Sequence, residues 1–322
     1  MGADAVESLI KKGNVGQVVC EPDHDVQRRR LMQGMAIALL PEGLLAAEQP
    51  MARRPIPATG ELLPVIGLGT WQTFDVSAAK DVALARETLT RFAALGGTVI
   101  DSSPMYGGAE ALVGQLTEEL AQRERTFLAT KVWTQGRAEG IQQRQESMRR
   151  LKASRVDLMQ IHNLLDAGAH IPSLREWKIR GRIRYWGITH YHQGAYGEVE
   201  RLLRTARPDF LQINYSLAEP ESSNRLLPLA RDLGIAVIVN RPFAEGALFQ
   251  RTKGLSIPGW AAELGIRSWA HYFLSWILSH PAVTCVIPAT RNPDHVADNM
   301  GAGRLSLPNE TVRTRMAGFL GA

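Results

Sequence analysis

Cysteine is scarce in this sequence. Only Cys20 and Cys285 occur among 322 residues. Neither has a partner at the spacing of a zinc site or a C-x-x-C redox motif, and a disulfide framework is not expected. Cys285 lies in the apolar run AVTCVIPAT, so we expect a buried and unreactive residue. His170, His190 and His192 form no recognisable ligand pattern, and the sequence therefore predicts no metal site.

The sequence also lacks the features of nucleic-acid-binding and membrane proteins. Its formal net charge is only +5, and it contains no known nucleic-acid-binding motif. Outside the N-terminal region, no segment approaches the roughly 20 apolar residues of a membrane-spanning helix. The composition, 45% hydrophobic and 21% charged, is that of an ordinary globular protein. We expect neither a nucleic-acid partner nor stable membrane insertion.

Residues 1–47 have the character of an N-terminal leader. Three arginines at 28–30 precede a mainly apolar stretch at 31–47, which ends in small residues. This order resembles a twin-arginine signal peptide, an address for the export of folded proteins. It predicts a periplasmic protein, although Pro41 and Glu42 interrupt the apolar stretch. A cytoplasmic enzyme with an N-terminal extension is the alternative.

Beyond the leader, prolines mark 48–64 as a linker or short β-structure, and 65–322 alternates between apolar runs and amphipathic stretches. The runs are apolar nearly throughout, as in parallel strands that are covered on both faces. They lie at 65–71, 98–101, 126–133, 156–162, 182–189, 209–216, 235–243 and 282–290. Helical patterns separate them, including a long one near 258–279. This alternation predicts an α/β fold, a single-domain (β/α)8 TIM barrel. A doubly wound open sheet is the alternative, but no G-x-G-x-x-G follows the first strand.

Four polar side chains fall at or just after the ends of predicted strands, where such barrels carry their chemistry. They are Asp101, Tyr106, Lys131 and His162. A phenol is a weak acid, but a nearby ammonium favours the phenolate and lowers the pKa. Asp101 can hold Lys131 charged and in place, and His162 can orient a carbonyl oxygen. A tyrosine in this setting can protonate an oxygen while a hydride reaches the carbon, and the hydride requires a nicotinamide cofactor.

Seven motifs occur in order between about Leu63 and Asn299: GLGTW, IDSSPMYG, LATKVW, DLMQIHN, YWGIT, LQINYS and IPATRNPDHVADN. Together they resemble the aldo-keto reductases. The resemblance implies a (β/α)8 barrel and a catalytic tetrad formed by the four residues above. It also implies that Tyr106 is the general acid and that NADPH reduces an aldehyde or ketone, a small-molecule carbonyl substrate.

The resemblance further implies a nucleotide site that matches the family less closely. Its predicted residues are Thr189, His190, Gln212, Asn240, Arg241, Thr290, Arg291, His295 and Asn299. His190 stands where the family has Asn, Asn240 where it has an aromatic that stacks on nicotinamide, and His295 where it has Arg. Arg241 and Arg291 are expected to meet phosphate groups. NADP is the expected cofactor, with NAD as the alternative.

Aromatic side chains are expected to line the substrate pocket, and the candidates are Trp71, Phe74 and Trp133. The chain ends about twenty residues after Asn299, which suggests an open pocket with broad specificity. A different function is the alternative: a nucleotide-binding regulatory or partner-docking barrel with vestigial reductase activity. The sequence identifies no particular protein partner.

Overall fold

The computed structural model describes residues 49–321. The predicted leader, 1–47, lies outside these residues. The described chain begins with an antiparallel hairpin of two short strands, β1 (Arg53–Pro55) and β2 (Leu62–Pro64). This hairpin lies in the segment for which the sequence predicts a linker or short β-structure.

Eight parallel strands follow, and strands that are consecutive in sequence are neighbours in the sheet. They are β3 (Leu68–Gly69), β4 (Val99–Asp101), β5 (Phe127–Val132), β6 (Val156–His162), β7 (Ile183–Thr189), β8 (Phe210–Asn214), β9 (Ala236–Asn240) and β10 (Val283–Val286). Parallel bridges between Ile66 and Val286 and between Gly69 and Ala289 join the first strand to the last. The sheet therefore closes, which confirms the predicted barrel over the open sheet.

Helices follow the strands around the barrel. They are α1 (Ala79–Ala94), α2 (Ala109–Glu119), α3 (Arg137–Arg150), α4 (Ala167–Ile179), α5 (Tyr196–Ala206), α6 (Leu226–Asp232), α7 (Ala247–Arg251), α8 (Gly259–Ala262), α9 (Trp269–Leu278), α10 (Pro293–Ala302) and α11 (Glu310–Phe319). Among the described residues, no helix combines the length and apolar character that crossing a membrane requires.

The prediction of one long helical region near 258–279 is wrong, because α8 and α9 are separate helices. Gly265 follows α8 with a φ of +80°, a left-handed conformation in which a helix cannot continue. The hydroxyl of Ser268 then accepts a hydrogen bond from the backbone N–H of His271 and begins α9.

The hydrophobic core has two parts. The larger part packs the helices against the outer face of the barrel strands. The smaller part fills the barrel interior toward the N-terminal ends of the strands. Ile56 and Leu63 of the hairpin belong to this inner cluster, so the hairpin plugs that end of the barrel. Arg54 adds a hydrogen bond of 3.1 Å to the carbonyl oxygen of His280.

Candidate active site

Toward the C-terminal end of the barrel, the inward-facing positions change from apolar to polar. Side chains alternate along a strand, so every second residue points into the barrel. On β5, Ala129 belongs to the inner hydrophobic cluster, and Lys131 follows two residues later. On β6, Leu158 is followed in the same way by Gln160 and His162. Strand geometry therefore brings polar side chains from separate strands to one end of the barrel.

Lys131 and Asp101 form an ion pair inside the barrel. Nζ lies 2.6 Å from Oδ2, and the two side chains are only 0% and 3% exposed. Nζ also donates to the carbonyl oxygen of Ser102 at 2.7 Å. Burial alone lowers the pKa of Lys131, but interactions with Asp101 and Tyr106 raise it above the ordinary value. Lys131 is therefore a fixed positive charge.

The second carboxylate oxygen of Asp101 is also engaged. Oδ1 accepts hydrogen bonds from the amide Nε2 atoms of Gln212 at 2.9 Å and Gln160 at 3.3 Å. The hydroxyl of Thr189 donates to Oε1 of Gln212 at 3.0 Å, which sets the direction of that amide. With donors on both oxygens, the carboxylate is held in one orientation toward Lys131.

A tight turn after β4 presents Tyr106. The Tyr106 N–H donates to the carbonyl oxygen of Ser103 at 2.9 Å. Gly107 follows with a φ of +57°, and a Cβ atom there would lie 2.2 Å from the carboxylate of Asp75. The Gly108 N–H donates to Asp75 Oδ1 at 2.8 Å. The two glycines therefore allow this loop to close on Asp75.

The ammonium of Lys131 lies 4.9 Å from the centroid of the Tyr106 ring. Burial raises the pKa of Tyr106, and the positive charge of Lys131 acts against that rise. The net pKa is above the ordinary phenol value, whereas the sequence led us to expect a lowered one. The phenol is therefore protonated at neutral pH, and Lys131 is placed to stabilise the anion left after proton transfer.

His162 stands beside Tyr106, with the two rings edge to face and their centroids 5.6 Å apart. Its Nδ1 atom lies 3.0 Å from the hydroxyl oxygen of Ser103. Burial, together with the charge of Lys131 and the nearby His190, lowers the pKa of His162 to about 2. At neutral pH this imidazole is a neutral hydrogen-bonding group.

A cavity of about 620 Å³ opens above these residues. Asp101, Tyr106 and His162 line it, while Lys131 is fully buried beneath them. The volume is that of a typical small-molecule or cofactor site. Within residues 49–321, no three His, Cys, Asp or Glu side chains are arranged to hold a metal ion.

The three aromatic residues predicted for the substrate pocket have different environments. Trp71 lines the cavity, and its ring centroid lies 4.9 Å from that of Tyr106. Trp133 stands nearby, 6.4 Å from the His162 ring, and is 40% exposed. Phe74 does not line the cavity but is fully buried in the outer part of the core. Its side chain therefore belongs to the core and not to the wall of the substrate pocket.

The residues predicted to bind the nucleotide divide into two groups. Those that line the cavity are Thr189, Gln212, Asn240 and Arg241. Those that do not are His190, Thr290, Arg291, His295 and Asn299. Arg291 donates to the carbonyl oxygen of Thr73 at 3.1 Å and pairs with Asp81 at 3.3 Å. Its guanidinium therefore ties the loop after β3 to α1.

The side chain of His190 makes its hydrogen bond within its own loop and does not line the cavity. Nδ1 accepts a hydrogen bond from the backbone N–H of Tyr191 at 2.9 Å, and the two rings stack. The side chain of Asn240 donates to the carbonyl oxygen of His190 at 3.0 Å, which joins this loop to the end of β9. Tyr191 rather than His190 lines the cavity.

Three buried polar atoms in cavity-lining residues have no hydrogen-bond partner within the described part of the chain. They are Asn240 Oδ1, Arg241 Nε and Thr73 Oγ1. Buried polar atoms normally have partners, so these atoms indicate a ligand or bound water. The amide oxygen of Asn240 can accept a hydrogen bond from a carboxamide. The guanidinium of Arg241 can pair with a phosphate, even though its Nη1 atom lies 3.1 Å from Oε1 of Glu245. This set of groups fits a nicotinamide nucleotide.

Two supporting side chains, Gln160 and Ser103, were not predicted from the sequence. Gln160 lies two residues before His162 on β6, and strand alternation alone would have placed it in the interior. Ser103 lies between Asp101 and Tyr106 in the turn, and only the folded structure brings it to His162. Gln212, which the sequence predicts as a nucleotide contact, lines the cavity, and its amide also donates to Asp101.

The chain is similar in sequence and in fold to known proteins. Residues 65–315 match the Aldo/keto reductase family. Methylglyoxal reductase YeaE from Escherichia coli is 28% identical over 257 residues, which cover 77% of this chain and 89% of that protein. The NADH-specific methylglyoxal reductase from Escherichia coli is 25% identical over 313 residues, which cover 80% and 95%.

The solved structure of an aldo-keto reductase from Klebsiella pneumoniae in complex with NADPH is also similar. It is 26% identical with a TM-score of 0.69, and the match covers 84% of this chain and 95% of that one. The family match spans most of the chain and includes all four tetrad residues, which meet at one end of a closed barrel. The chain belongs to the aldo/keto reductase family.

Proposed function

We propose that this protein reduces aldehydes or ketones to alcohols, with hydride from a nicotinamide nucleotide and a proton from Tyr106. One observation carries the proposal: the buried ammonium of Lys131 lies 4.9 Å from the ring of a phenol that lines a ligand-sized cavity. When bound, the nucleotide supplies the hydride, which no side chain can provide.

Each tetrad residue has a distinct role in the proton transfer. The Tyr106 hydroxyl donates its proton to the carbonyl oxygen as negative charge develops there. Lys131 stabilises the phenolate that remains, and Asp101 keeps the ammonium in place. His162, a neutral imidazole, orients the carbonyl oxygen through a hydrogen bond. Solvent returns a proton to Tyr106 after the alcohol leaves.

The residues that would hold the nucleotide are those lining the cavity beside the tetrad. Asn240 offers an unpartnered amide oxygen, and Arg241 an unpartnered Nε–H. NADP is the expected nucleotide, since a related protein from Klebsiella pneumoniae was solved with NADPH. NAD is the alternative, since a relative is named as NADH-specific. Arg291 is already paired with Asp81, and the exposed His295 does not line the cavity, so neither residue favours NADP over NAD.

Small aldehydes are the proposed substrates. Two relatives are named methylglyoxal reductases, and the cavity walls include the apolar surfaces of Trp71, Phe243 and Phe249. These walls suit a range of small carbonyl compounds. All four tetrad residues are present, and Tyr106 faces the cavity, which supports an active enzyme over a regulatory barrel.

For localisation, we propose export through a twin-arginine signal in 1–47, supported by the arginines at 28–30 and the apolar stretch after them. This route carries folded proteins and therefore permits a nucleotide to be bound before export. Fractionation of cells that express the full chain tests it. Arg28→Lys together with Arg29→Lys is expected to leave the protein in the cytoplasm. Periplasmic recovery of that variant would contradict the proposal.

Nucleotide titration followed by an aldehyde panel tests the enzymatic proposal. Quenching of tryptophan fluorescence by NADPH or NADH is expected, followed by nucleotide oxidation with methylglyoxal or 4-nitrobenzaldehyde. No quenching by either nucleotide would refute the assignment. Tight binding without turnover on any aldehyde would favour the regulatory alternative.

A further inference from the structure

The hydroxyl group of Ser103 contacts the ring of His162. Ser103 is fully buried. Its Oγ accepts a hydrogen bond from the backbone N–H of Met105 at 3.2 Å, inside the turn that presents Tyr106. On its other side, Oγ lies 3.0 Å from Nδ1 of His162. Among the described residues, these are the two hydrogen-bond partners of this oxygen.

The arrangement determines which way the second hydrogen bond runs. A serine hydroxyl has a single hydrogen to donate. The oxygen could accept a second hydrogen bond beside that from Met105, but the hydroxyl hydrogen is buried and needs an acceptor. Among the described residues, Nδ1 of His162 is the acceptor in contact with it. A neutral imidazole has one nitrogen that accepts and one that donates. When Nδ1 accepts from Ser103, the proton of His162 must lie on Nε2.

The position of this proton matters for a carbonyl substrate. With the proton on Nε2, His162 presents a donor from the ring nitrogen that Ser103 does not engage. With the proton on Nδ1, Nε2 would present a lone pair to the carbonyl oxygen, and two acceptors would face each other. The ring does not carry a proton on both nitrogens, because burial and the nearby Lys131 keep it neutral. One of the two neutral tautomers must therefore be present.

We propose that Ser103 is a positioning residue that keeps the proton of His162 on Nε2, so that the ring donates to the substrate carbonyl. The catalytic consequence rests on the proposed reductase function. The tautomer itself does not, because it exists in the protein without substrate.

Nitrogen NMR of protein labelled with ¹⁵N-histidine measures the tautomer directly. The His162 signals are assigned by their loss in His162→Gln. In the wild-type protein at neutral pH, we expect a protonated Nε2 and an unprotonated Nδ1. Ser103→Ala should give mixed tautomers, and Ser103→Thr, which keeps the hydroxyl, should restore the wild-type pattern. A wild-type His162 with its proton on Nδ1 overturns the proposal, even if the alanine variant does not fold.

Kinetics separate positioning from a purely structural role. Ser103→Ala is expected to lower kcat/KM about tenfold, the effect of one lost hydrogen bond, without changing nucleotide affinity. Ser103→Thr should recover most of that loss. Ser147→Ala is the matched control, because this buried serine donates to Glu110 at 3.2 Å outside the cavity. An alanine variant at 103 that keeps the Nε2 proton and full kcat/KM would also overturn the proposal. If no aldehyde is reduced, the reductase function fails while the tautomer measurement still decides the role of Ser103.

Discussion

The two ends of the barrel interior are built on the same strands but have opposite chemistry. At the N-terminal end, Phe127, Tyr185 and Phe210 form an aromatic cluster with centroid separations of 5.5 to 6.1 Å. The hairpin plugs this end. At the C-terminal end, Asp101 and Lys131 form a buried ion pair beneath an open cavity.

This difference shows how one fold separates stability from catalysis. The apolar end stabilises the folded state because it removes hydrophobic surface from water. The polar end must compensate the desolvation of two charges, and it does so with hydrogen bonds from amide side chains such as Gln212. We therefore expect substitutions at the apolar end to affect folding and substitutions at the polar end to affect turnover.

Tyr106→Phe should produce the largest loss of activity. Removal of the proton donor is expected to lower kcat by about 10² to 10⁴-fold. Nucleotide affinity and the free energy of unfolding should change little, because the ring and its packing remain. Steady-state kinetics, a fluorescence titration and urea denaturation measure the three quantities. Wild-type turnover by this variant would remove Tyr106 from the mechanism.

Phe210→Ala tests the opposite end. Phe210 is fully buried in the inner hydrophobic cluster, so the cavity left behind should cost about 3–5 kcal/mol of unfolding free energy. The fraction that stays folded should keep the wild-type kcat. Urea denaturation and activity per folded molecule check both statements, with Phe210→Leu as a milder control. A specific loss of kcat would show that the two ends are coupled.

Acid should destabilise both ends through buried neutral histidines. Burial, as the largest cause, lowers the pKa to about 2 for His162, to about 4 for His190 and to about 4 for His280, which precedes β10 at the plugged end. Below pH 6.5 the unfolded chain takes up protons that the native state does not. Stability should therefore fall as the pH drops from 6.5 to 5, by up to about 1.4 kcal/mol per pH unit for each histidine.

Urea midpoints between pH 7.5 and 5 measure this dependence. His280→Asn should make the decline shallower without altering kcat, because it removes one buried imidazole from the apolar end. A decline of equal steepness in this variant would show that other groups dominate the acid sensitivity.

The smallest effect is expected at Cys285, which lies in the inner cluster below Asp101. Burial, with a contribution from the negative charge of Asp101, raises the pKa of its thiol. In a Cys20→Ser background, where it is the only cysteine, it should resist thiol reagents until the protein unfolds. Cys285→Ala should cost about 1 kcal/mol and leave kcat unchanged. Rapid labelling of the native protein would contradict this assignment.

The barrel and the positions of Lys131 and His162 on its strands were predictable because they depend on local patterns. Apolar runs separated by amphipathic stretches marked the strands, and Lys131 and His162 lie at their ends. The role of Phe74 was not predictable, since an aromatic in a loop has the same sequence character in a pocket wall and in a core. The same holds for Arg291, whose partner Asp81 lies more than two hundred residues away in sequence.

The alternation of residue types along the chain determined most of the secondary structure, the parallel barrel and the polar side chains at the ends of its strands. Only the tertiary structure decided how those groups are connected: that Gln160 and Gln212 share one oxygen of Asp101, and that Ser103 meets His162. It also decided that burial outweighs Lys131 in setting the pKa of Tyr106. The physical reason is that hydrogen-bond partners and desolvation depend on distances between segments far apart in sequence, whereas strand and helix periodicity depends on near neighbours.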